Sequence, residues 1–320
     1  MKAAVRFVFG PPEILRIQEM PQPIPKPNEV LIKVHAATVN RTDCANLMAK
    51  PFIMRFVVGL MKPKLPITGT DFSGVIAAVG EQVTQFKVGD KVWGFKDGGL
   101  SSHAEFMTFP EEGAMVTIPE GISFEQAAAS AEGAHYAYNI INKVNLEARQ
   151  KALVNGATGA IGSALVQLLI ANQIDVAAVC GGEHVDLVRS LGASVVIDYQ
   201  NEDFTKDAGI YDFVFDAVGK STFSKCKPLL SDHGIYISSE LGPYSQNLYF
   251  ALVTPWLGGK KVIFPVPRDP KASLMLMRDL LETGKFKPLI DKSFLLEEIA
   301  DAYRYVMSGR KIGNVIVAVR

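Results

Sequence analysis

The stretch KALVNGATGAIGSALVQLLI, residues 151–170, decides the fold because it predicts a strand, a glycine turn and a helix in direct succession. A short apolar run ends at Asn155 and gives the strand. Three glycines then follow at equal spacing, namely Gly156, Gly159 and Gly162. Apolar residues recur at helical spacing from Ile161 to Leu169. The rest of the chain can be placed relative to this unit.

The glycine turn has the chemistry of a phosphate-binding loop. In a dinucleotide-binding turn, one glycine permits the bend, another lets the backbone approach a pyrophosphate, and a third lets the helix pack closely on the strand. The helix N-terminus then presents unpaired N–H groups and a positive dipole to the anion. A second strand, DVAAVC, completes a strand-helix-strand unit of about thirty residues. The predicted binding residues are Gly156, Ala157, Thr158, Gly159, Ala160, Ile161 and Gly162. An ordinary strand-to-helix loop is the alternative interpretation.

Composition describes a globular protein without an obvious nucleic-acid partner. The 320 residues are 48% hydrophobic and 21% charged, and 33 basic residues balance 33 acidic ones. No basic tail or stripe is visible. The length allows two domains.

Cysteine usage and the apolar segments favour a cytoplasmic protein. Cys44, Cys180 and Cys226 share no close spacing, which argues against a disulfide framework and against a zinc knuckle. The N-terminal residues MKAAVRFVFG contain no apolar run of signal-peptide length. The segment PFIMRFVVGLM, residues 51–61, contains Arg55 and is too short to span a bilayer. We therefore expect no membrane span.

The pattern along the chain predicts an α/β protein in three segments. Residues 1–121 contain short alternating runs between Pro- and Gly-rich turns and are expected to be mainly β, with a short helix capped by Asn40. Residues 122–265 alternate six strands with helices, the pattern of a doubly wound parallel sheet built from two mononucleotide-binding halves. Residues 266–320 predict two amphipathic helices around a short strand, then the strand NVIVAV. We expect this last segment to return to the first domain.

Several collinear motifs carry a family resemblance over nearly the whole chain. They are VNRTDCA, GTDFSGVIAAVG, FKVGDKVWG, NGATGAIG, LGASVVIDY, YDFVFDAVGK and SGRKIGNVIV. In these motifs the chain resembles the medium-chain dehydrogenase/reductase superfamily, and within it the zinc-independent quinone oxidoreductase and enoyl reductase branch. The resemblance implies a GroES-like, mainly β catalytic domain and a Rossmann dinucleotide-binding domain, with the active site in the cleft between them.

The positions that hold zinc in other members of the superfamily point to metal-free chemistry. Zinc-dependent relatives use a Cys and a His where this chain has Asn40 and Thr70, and their cluster of four cysteines is missing from this sequence. Alcohol oxidation without metal lacks its Lewis acid. Reduction of a quinone or a conjugated enone leaves charge on an oxygen that hydrogen-bond donors can stabilise.

The resemblance therefore implies an NAD(P)H-dependent, metal-free reductase of a small hydrophobic quinone or α,β-unsaturated carbonyl compound. The cofactor supplies the hydride, and the protein supplies position and electrostatics. Two alternatives stay open. One is a metal-free alcohol or carbonyl reductase, and the other is a nucleotide-binding protein with little turnover that resembles the vesicle-associated members of the superfamily.

Three residues of the VNRTDCA motif are candidate catalytic residues by resemblance. Asn40 matches an asparagine that lines the nicotinamide and substrate cleft, where its amide could donate to a developing enolate or hold the cofactor ribose, and it also suits a helix cap. Thr42 and Asp43 are candidates by the same resemblance, although the Asp43 carboxylate also suits the first turn of a helix. Some relatives carry a tyrosine where this chain has Ala45, which leaves solvent as a candidate proton donor.

Further residues are expected at the cofactor by the same resemblance. His135 occupies a place where relatives often have a threonine at the nicotinamide, and a space-filling role is its alternative. Val218 belongs to a loop near adenosine, and Ser238 ends a strand near the nicotinamide side. Both also suit ordinary strand ends.

The residues after the second strand of the parallel sheet bear on the choice between NADP and NAD. An acidic side chain there would hold a ribose 2′-hydroxyl and select NAD, but this chain has Gly181, followed by Gly182. Glu183 would repel a 2′-phosphate if it pointed inward, whereas His184 and the hydroxyl of Tyr199 could compensate. The sequence thus favours NADPH, with NADH also possible.

The two apolar stretches have three open interpretations. PFIMRFVVGLM and LYFALVTPWLGG, residues 51–61 and 248–259, could line a hydrophobic substrate cleft, form a subunit interface or belong to the core. Many relatives pair the edges of their Rossmann sheets, so the resemblance implies a homodimer.

Overall fold

Two β-sheets carry most of the strands, and each belongs to one of two units in the computed structural model, which describes residues 1–52 and 54–319. The first unit comprises Met1–Glu132 and Asp269–Arg320. The second comprises Gly133–Arg268. The first unit therefore uses both ends of the chain.

The N-terminal part of the first unit is mainly β, as predicted. Its elements in chain order are β1 (Lys2–Val5), β2 (Arg16–Glu19), β3 (Glu29–Val39), α1 (Arg41–Met48), α2 (Met54–Val58), β4 (Asp71–Val79), β5 (Lys91–Phe95), β6 (Phe106–Pro110), β7 (Met115–Thr117) and α3 (Phe124–Ala129). Strands β3, β4, β5 and β7 pair antiparallel in that order, and β6 also pairs with β3. Inward-facing apolar side chains such as Ile32 and Phe72 are fully buried and form the core of the unit.

The second unit alternates strands and helices. Its elements are α4 (Glu132–Ile141), β8 (Lys151–Asn155), α5 (Ala160–Ala171), β9 (Asp175–Cys180), α6 (Val185–Ser190), β10 (Val195–Asp198), β11 (Tyr211–Asp216), α7 (Phe223–Cys226), β12 (Leu230–Ser238), α8 (Gln246–Leu257) and β13 (Lys261–Ile263). The six strands are all parallel, in the order β10-β9-β8-β11-β12-β13. This is the strand order of a dinucleotide-binding Rossmann sheet, so the predicted fold class is confirmed.

The C-terminal segment completes the first sheet. It contains α9 (Pro270–Glu282), β14 (Ile290–Leu295), α10 (Ile299–Met307) and β15 (Asn314–Ala318). Strand β15 pairs antiparallel with β3 and parallel with β14. The division between the units follows Glu132 rather than residue 121 because α3 packs against β3 and β4, where the Ser73 hydroxyl donates to the Phe124 carbonyl at 2.7 Å.

The two apolar stretches lie largely at the surface of their own units. Phe52 and Phe56 are 67% and 66% exposed, and Ile53 lies outside the described residues. On α8, Leu252 and Trp256 are 74% and 88% exposed, so the outer face of this helix does not belong to the core of its unit. Within the described ranges, no helix combines the length and apolar character that crossing a bilayer requires.

Candidate active site

The glycine turn of the second unit joins β8 to α5, and two of its glycines are needed by the fold itself. Gly156 has φ +83°, and a Cβ there would lie 1.9 Å from Cγ1 of Val218. A Cβ on Gly162 would lie 2.1 Å from the Gly156 carbonyl oxygen. These two positions therefore accept only glycine without a shift of the neighbouring chain.

Gly159 differs from the other two glycines because nothing in the protein crowds it. It is the N-cap of α5, and a Cβ there would have the Gly156 oxygen at 3.5 Å as its nearest neighbour, an ordinary contact. Its lack of a side chain leaves the first turn of α5 without a side-chain cap. The N–H groups of that turn have no acceptors within the helix. Open space in front of a helix N-terminus fits a pyrophosphate.

The carboxyl ends of four parallel strands bring the predicted nucleotide-binding residues to one edge of the sheet. Gly156 follows β8, Gly181 follows β9, Val218 follows β11 and Ser238 ends β12. In open α/β sheets this edge is where nucleotides bind. The chain thus has the backbone geometry for the adenosine and pyrophosphate groups of a dinucleotide.

Asp216 organises this edge and was missed by the sequence interpretation. Its Oδ1 accepts from the Asn155 amide at 3.0 Å and from the Gly219 N–H at 2.9 Å. Its Oδ2 accepts from the Ser221 N–H at 3.0 Å and from the Tyr236 hydroxyl at 3.2 Å. One buried carboxylate therefore fixes the loop after β11 and, through Asn155, the end of β8. The sequence feature that could have indicated this role is the acidic residue at the end of the apolar strand DFVFD.

The residues expected around the ribose are close together, with an additional carboxylate among them. A Cβ built on Gly181 would lie 3.6 Å from the Tyr199 hydroxyl, and one built on Gly182 would lie 2.5 Å from Oδ2 of Asp198. Glu183 and His184 pair with each other at 3.0 Å. The sequence predicted no acid at Gly181, yet Asp198, at the end of β10, places a carboxylate beside the neighbouring glycine.

His135 occupies a different environment from the strand ends. It lies on α4, is 2% exposed, and its carbonyl accepts from the Asn139 side chain at 2.9 Å. Its ring contacts that of Tyr136 edge to face. Its predicted role at the nicotinamide stays a prediction.

In the first unit, Asn40 caps α1, which confirms one of its two interpretations. Its Oδ1 accepts from the Asp43 N–H at 2.8 Å, while Oδ2 of Asp43 accepts from the Asn40 N–H at 3.2 Å. This reciprocal capping box fixes the first helical turn and with it Thr42. The Asn40 amide donates to the Thr70 hydroxyl at 2.9 Å and approaches Asp71 and Thr38 at 3.4 Å. Both the oxygen and the nitrogen of the Asn40 side-chain amide therefore have hydrogen-bond partners within the first unit.

Asp71 is the most buried member of this group, with an exposure of 0%. It accepts from the Thr38 N–H at 2.6 Å and from the Thr38 hydroxyl. Burial raises the pKa of Asp71 to about 7, against the opposing effect of these donors. Burial and the Asp71 charge likewise raise the pKa of Asp43 well above its ordinary value.

Thr42 and Glu132 form the pair with the most useful acid-base chemistry. The Thr42 hydroxyl donates to Oε1 of Glu132 at 2.8 Å, and Glu132 is 6% exposed. Burial raises the pKa of Glu132 to about 7, which the Thr42 hydrogen bond opposes. A carboxyl that keeps its proton up to neutral pH can act as a general acid. Sequence reasoning found Thr42 but missed Glu132, whose available signal was an acid within the alanine-rich run AAASAEGA.

The two positions that resemblance aligns with zinc ligands do not suit a metal. Asn40 and Thr70 offer an amide and a hydroxyl, which are poor zinc ligands, and they hydrogen-bond to each other. Over residues 1–52 and 54–319, no cluster of three or more His, Cys, Asp or Glu side chains has the placement of a metal site. These residues therefore do not fit a zinc ion.

A GroES-like unit joined to a Rossmann unit is the architecture of a dehydrogenase that uses a dinucleotide. The chain matches two family profiles, "Alcohol dehydrogenase GroES-like domain" over residues 26–122 and "Zinc-binding dehydrogenase" over residues 191–317. It is 31% identical over 319 residues to the chloroplastic quinone-oxidoreductase QR1 of Triphysaria versicolor, covering 95% of this chain and 93% of that protein.

One further relative and one solved structure are similar to this chain over most of its length. The NADPH-dependent alkenal/one oxidoreductase of Arabidopsis thaliana chloroplasts is 29% identical over 99% of this chain and 79% of that protein. The structure of the Coxiella burnetii quinone oxidoreductase superposes with a TM-score of 0.87 and 25% identity over 100% of this chain and 99% of that chain. The chain belongs to the medium-chain dehydrogenase/reductase superfamily, in its quinone oxidoreductase branch. Membership makes it an oxidoreductase with a nicotinamide nucleotide cofactor.

Proposed function

We propose that this protein transfers hydride from a nicotinamide nucleotide to a quinone or an α,β-unsaturated carbonyl compound, without a metal ion. The observation that carries the proposal is the Thr42–Glu132 pair, a buried acid in hydrogen-bond contact with a hydroxyl on α1. Reduction of a conjugated carbonyl needs one hydride and one proton, and this pair can provide the proton. The names of the quinone-oxidoreductase and alkenal/one oxidoreductase relatives support the substrate class.

The chain's own residues then have distinct tasks. A bound reduced nicotinamide supplies the hydride. When Glu132 is protonated, its O–H donates to the Thr42 oxygen, which frees the Thr42 hydrogen to donate to the substrate oxygen as negative charge develops there. Glu132 then replaces the proton that Thr42 gives up. The substrate gains one hydride, which forms a C–H or O–H bond, and one proton from Thr42, which forms an O–H bond; the nicotinamide would be oxidised by two electrons, and Glu132 becomes a carboxylate that solvent protonates again. Asn40 and Asp43 act on this step by holding the first turn of α1, so we assign them as positioning residues.

We further propose NADPH as the favoured cofactor, with NADH also used. Gly181 leaves room for a 2′-phosphate, and the Tyr199 hydroxyl lies close to that glycine. Glu183 and Asp198 reduce the preference because both place negative charge near Gly182. Substituting Glu183→Lys should raise the ratio of kcat/KM for NADPH over NADH. Glu202→Lys is the matched control, and an equal ratio in both variants would place Glu183 outside the site.

The decisive experiment measures steady-state oxidation of NADPH and NADH by chelator-treated protein. The acceptors are a quinone, a 2-enal and a saturated aldehyde, and alcohol oxidation is measured with NADP and NAD. Turnover of the quinone or the enal that persists after metal removal supports the proposal. Turnover confined to the aldehyde or alcohol would indicate the carbonyl reductase alternative. Tight NADPH binding without turnover of any acceptor would indicate a nucleotide-binding protein.

We also propose that the protein is a homodimer. Exposed apolar side chains on α8, including Leu252 and Trp256, stand next in sequence to β13, the edge strand of the parallel sheet. Apolar faces of this kind commonly mark interfaces. Light scattering after gel filtration should give a mass near twice the 34.8 kDa of the chain. A Trp256→Glu variant should shift the species toward monomer, and a wild-type monomer would contradict the proposal.

A further inference from the structure

Residues 50–65 of the first unit place large apolar side chains at the surface, which the proposed function does not explain. Phe52, Phe56, Leu60 and Met61 are 67%, 66%, 57% and 88% exposed. Single exposed apolar residues are ordinary in soluble proteins, whereas several within one short segment commonly mark an interaction surface.

A hydrogen-bonded turn after α2 holds these side chains outward. The Gly59 N–H donates to the Arg55 carbonyl at 3.0 Å. The Lys64 N–H donates to the Val58 carbonyl at 2.8 Å, and the Val58 side chain is buried and anchors the turn. Gly59 has φ +127°, and a Cβ there would lie 2.0 Å from the Lys62 carbonyl oxygen, so the turn requires glycine. The exposure of the neighbouring apolar residues is therefore part of an ordered backbone conformation.

The same segment is basic. Lys50, Arg55, Lys62 and Lys64 lie among its apolar residues, and residues 44–70 contain no Asp or Glu. Among the residues that the structure describes, no carboxylate oxygen lies within 4.0 Å of any of these four cations. Four positive charges therefore accompany the exposed apolar side chains without an acidic partner.

A neighbouring loop adds further apolar surface. The Arg55 guanidinium lies 5.4 Å from the centroid of the Phe9 ring and 5.9 Å from that of Phe52. Phe7 and Val8, which precede Phe9 in sequence, are 59% and 57% exposed. Arg55 thus joins two exposed apolar segments that are distant in sequence.

The distribution of charge favours an anionic lipid bilayer over a second copy of this chain. A two-fold interface would place this segment against itself and bring four cations close to four others, which is unfavourable. A bilayer that contains anionic lipid offers negative charge at its surface and apolar chains beneath it. Basic side chains are attracted to such a surface, and apolar side chains enter the boundary between headgroups and acyl chains.

We propose that the exposed side chains of residues 50–52 and 54–65, the basic-apolar surface, dock this protein reversibly on an anionic lipid bilayer. Phe56, Leu60 and Met61 enter the interface, and Lys62 and the other cations of the segment contact the headgroups. The docking requires no membrane-spanning helix, and it is independent of the cofactor and of turnover.

The test measures co-sedimentation of the full chain with lipid vesicles in the absence of nucleotide. Vesicles of phosphatidylglycerol and phosphatidylcholine in equal parts should bind it at least about tenfold more tightly than vesicles of phosphatidylcholine alone. Each cation near an anionic surface contributes about fivefold in affinity. Equal binding to both kinds of vesicle would overturn the role of charge, and absence of binding to the anionic vesicles would overturn the docking surface.

Two variants test the apolar and the basic contributions separately. Met61→Ser should lower the affinity for anionic vesicles about tenfold, because it removes an apolar side chain that enters the bilayer. Lys62→Glu should lower it at least about tenfold, because it replaces an attracted charge with a repelled one. Met275→Ser and Lys87→Glu are the matched controls at exposed positions elsewhere in the first unit, and they should bind as the wild type does. All four side chains are exposed, so the Tm should stay close to that of the wild type.

The same variants identify a protein partner if one occupies this surface instead. Vesicle binding that Lys62→Glu weakens and Met61→Ser leaves unchanged would indicate recognition of charge alone, as an acidic protein would provide, and would overturn insertion into lipid. A lower mass of Met61→Ser by light scattering without lipid would indicate a contact between copies of this chain and would likewise overturn the proposal.

Discussion

Glu132 accepts the Thr42 hydroxyl at 2.8 Å in a buried setting that raises its pKa to about 7. Glu132→Gln keeps an acceptor for Thr42 but removes the proton. If Glu132 is the proton source, kcat of the wild type should fall as pH rises through about 7, because the carboxyl loses its proton there. The variant should be about 100-fold slower at about pH 6 and should lack this titration.

The control for this prediction is Thr42→Ser, which keeps the hydroxyl and should keep both the rate and the pH profile. Kinetics over a pH series with a soluble quinone provide the measurement. If Glu132→Gln retains the wild-type profile, solvent rather than Glu132 supplies the proton.

At the level of single residues, the sequence could predict what is local and missed what is distant. Asn40, Thr42 and Asp43 are contiguous, and the capping box among them follows from residue type and spacing. Thr42 and Glu132 are 90 positions apart, and Thr38 and Asp71 are 33 apart. Only the tertiary fold of the first unit brings such partners together, so no local pattern contains them.

At the level of elements, the turn that precedes α5 contains glycines with different roles. Gly156 and Gly162 are required by the fold, whereas Gly159 is predicted to serve nucleotide binding. Gly159→Asp should leave the protein folded, because a Cβ there fits and aspartate is a good N-cap. The same carboxylate would occupy the space before the first turn and repel a phosphate, so nucleotide affinity should fall at least about 100-fold. Fluorescence titration with NADPH measures this loss, and circular dichroism confirms folding.

Two alanine variants distinguish the effect of added side-chain volume from the effect of added charge at the glycine turn. Gly159→Ala should keep most of the affinity, since it adds one methyl group at an ordinary contact distance. Gly162→Ala should lower the Tm instead, because its Cβ would lie 2.1 Å from a backbone oxygen. Unchanged NADPH affinity in Gly159→Asp would remove the glycine turn from the binding site.

The strand, turn and helix of residues 151–170 were predictable because apolar residues and glycines recur there at short sequence spacing. The exposure of the α8 side chains was not predictable in this way. A run such as LYFALVTPWLGG is apolar on several faces, so periodicity cannot tell which side chains become buried. The structure leaves Trp256 88% exposed, while Thr254 on the same helix is 3% exposed and its hydroxyl accepts from the Val262 N–H of β13. Burial here depends on contacts with β13, which the helix sequence does not encode.

For the whole molecule, buried carboxyls should make the folding free energy depend on pH. Asp71 has an ordinary pKa of 3.8 and a pKa of about 7 in the folded protein. A raised folded-state pKa means that the native state binds the proton more tightly, so this stabilisation is complete below about pH 4 and is lost as pH rises through about 7. Between about pH 5 and pH 8 the loss should be roughly 2–3 kcal/mol.

Asp71→Asn removes this titrating group. Because the Asp71 charge also raises the pKa of Asp43 and of Glu132, the difference between the two proteins reports Asp71 together with this coupling. His103, whose pKa burial lowers to about 4, acts in the opposite direction, losing stability as pH falls below its ordinary value of 6.5, and it does so in both proteins. Trp93 is buried in the first unit and Trp256 is exposed in the second, so urea unfolding in a Trp256→Phe background reports the first unit. The wild type should lose stability relative to Asp71→Asn as pH rises. Parallel pH curves would mean that Asp71 stays ionised in the folded state, held by the donors of Thr38 and Asn40.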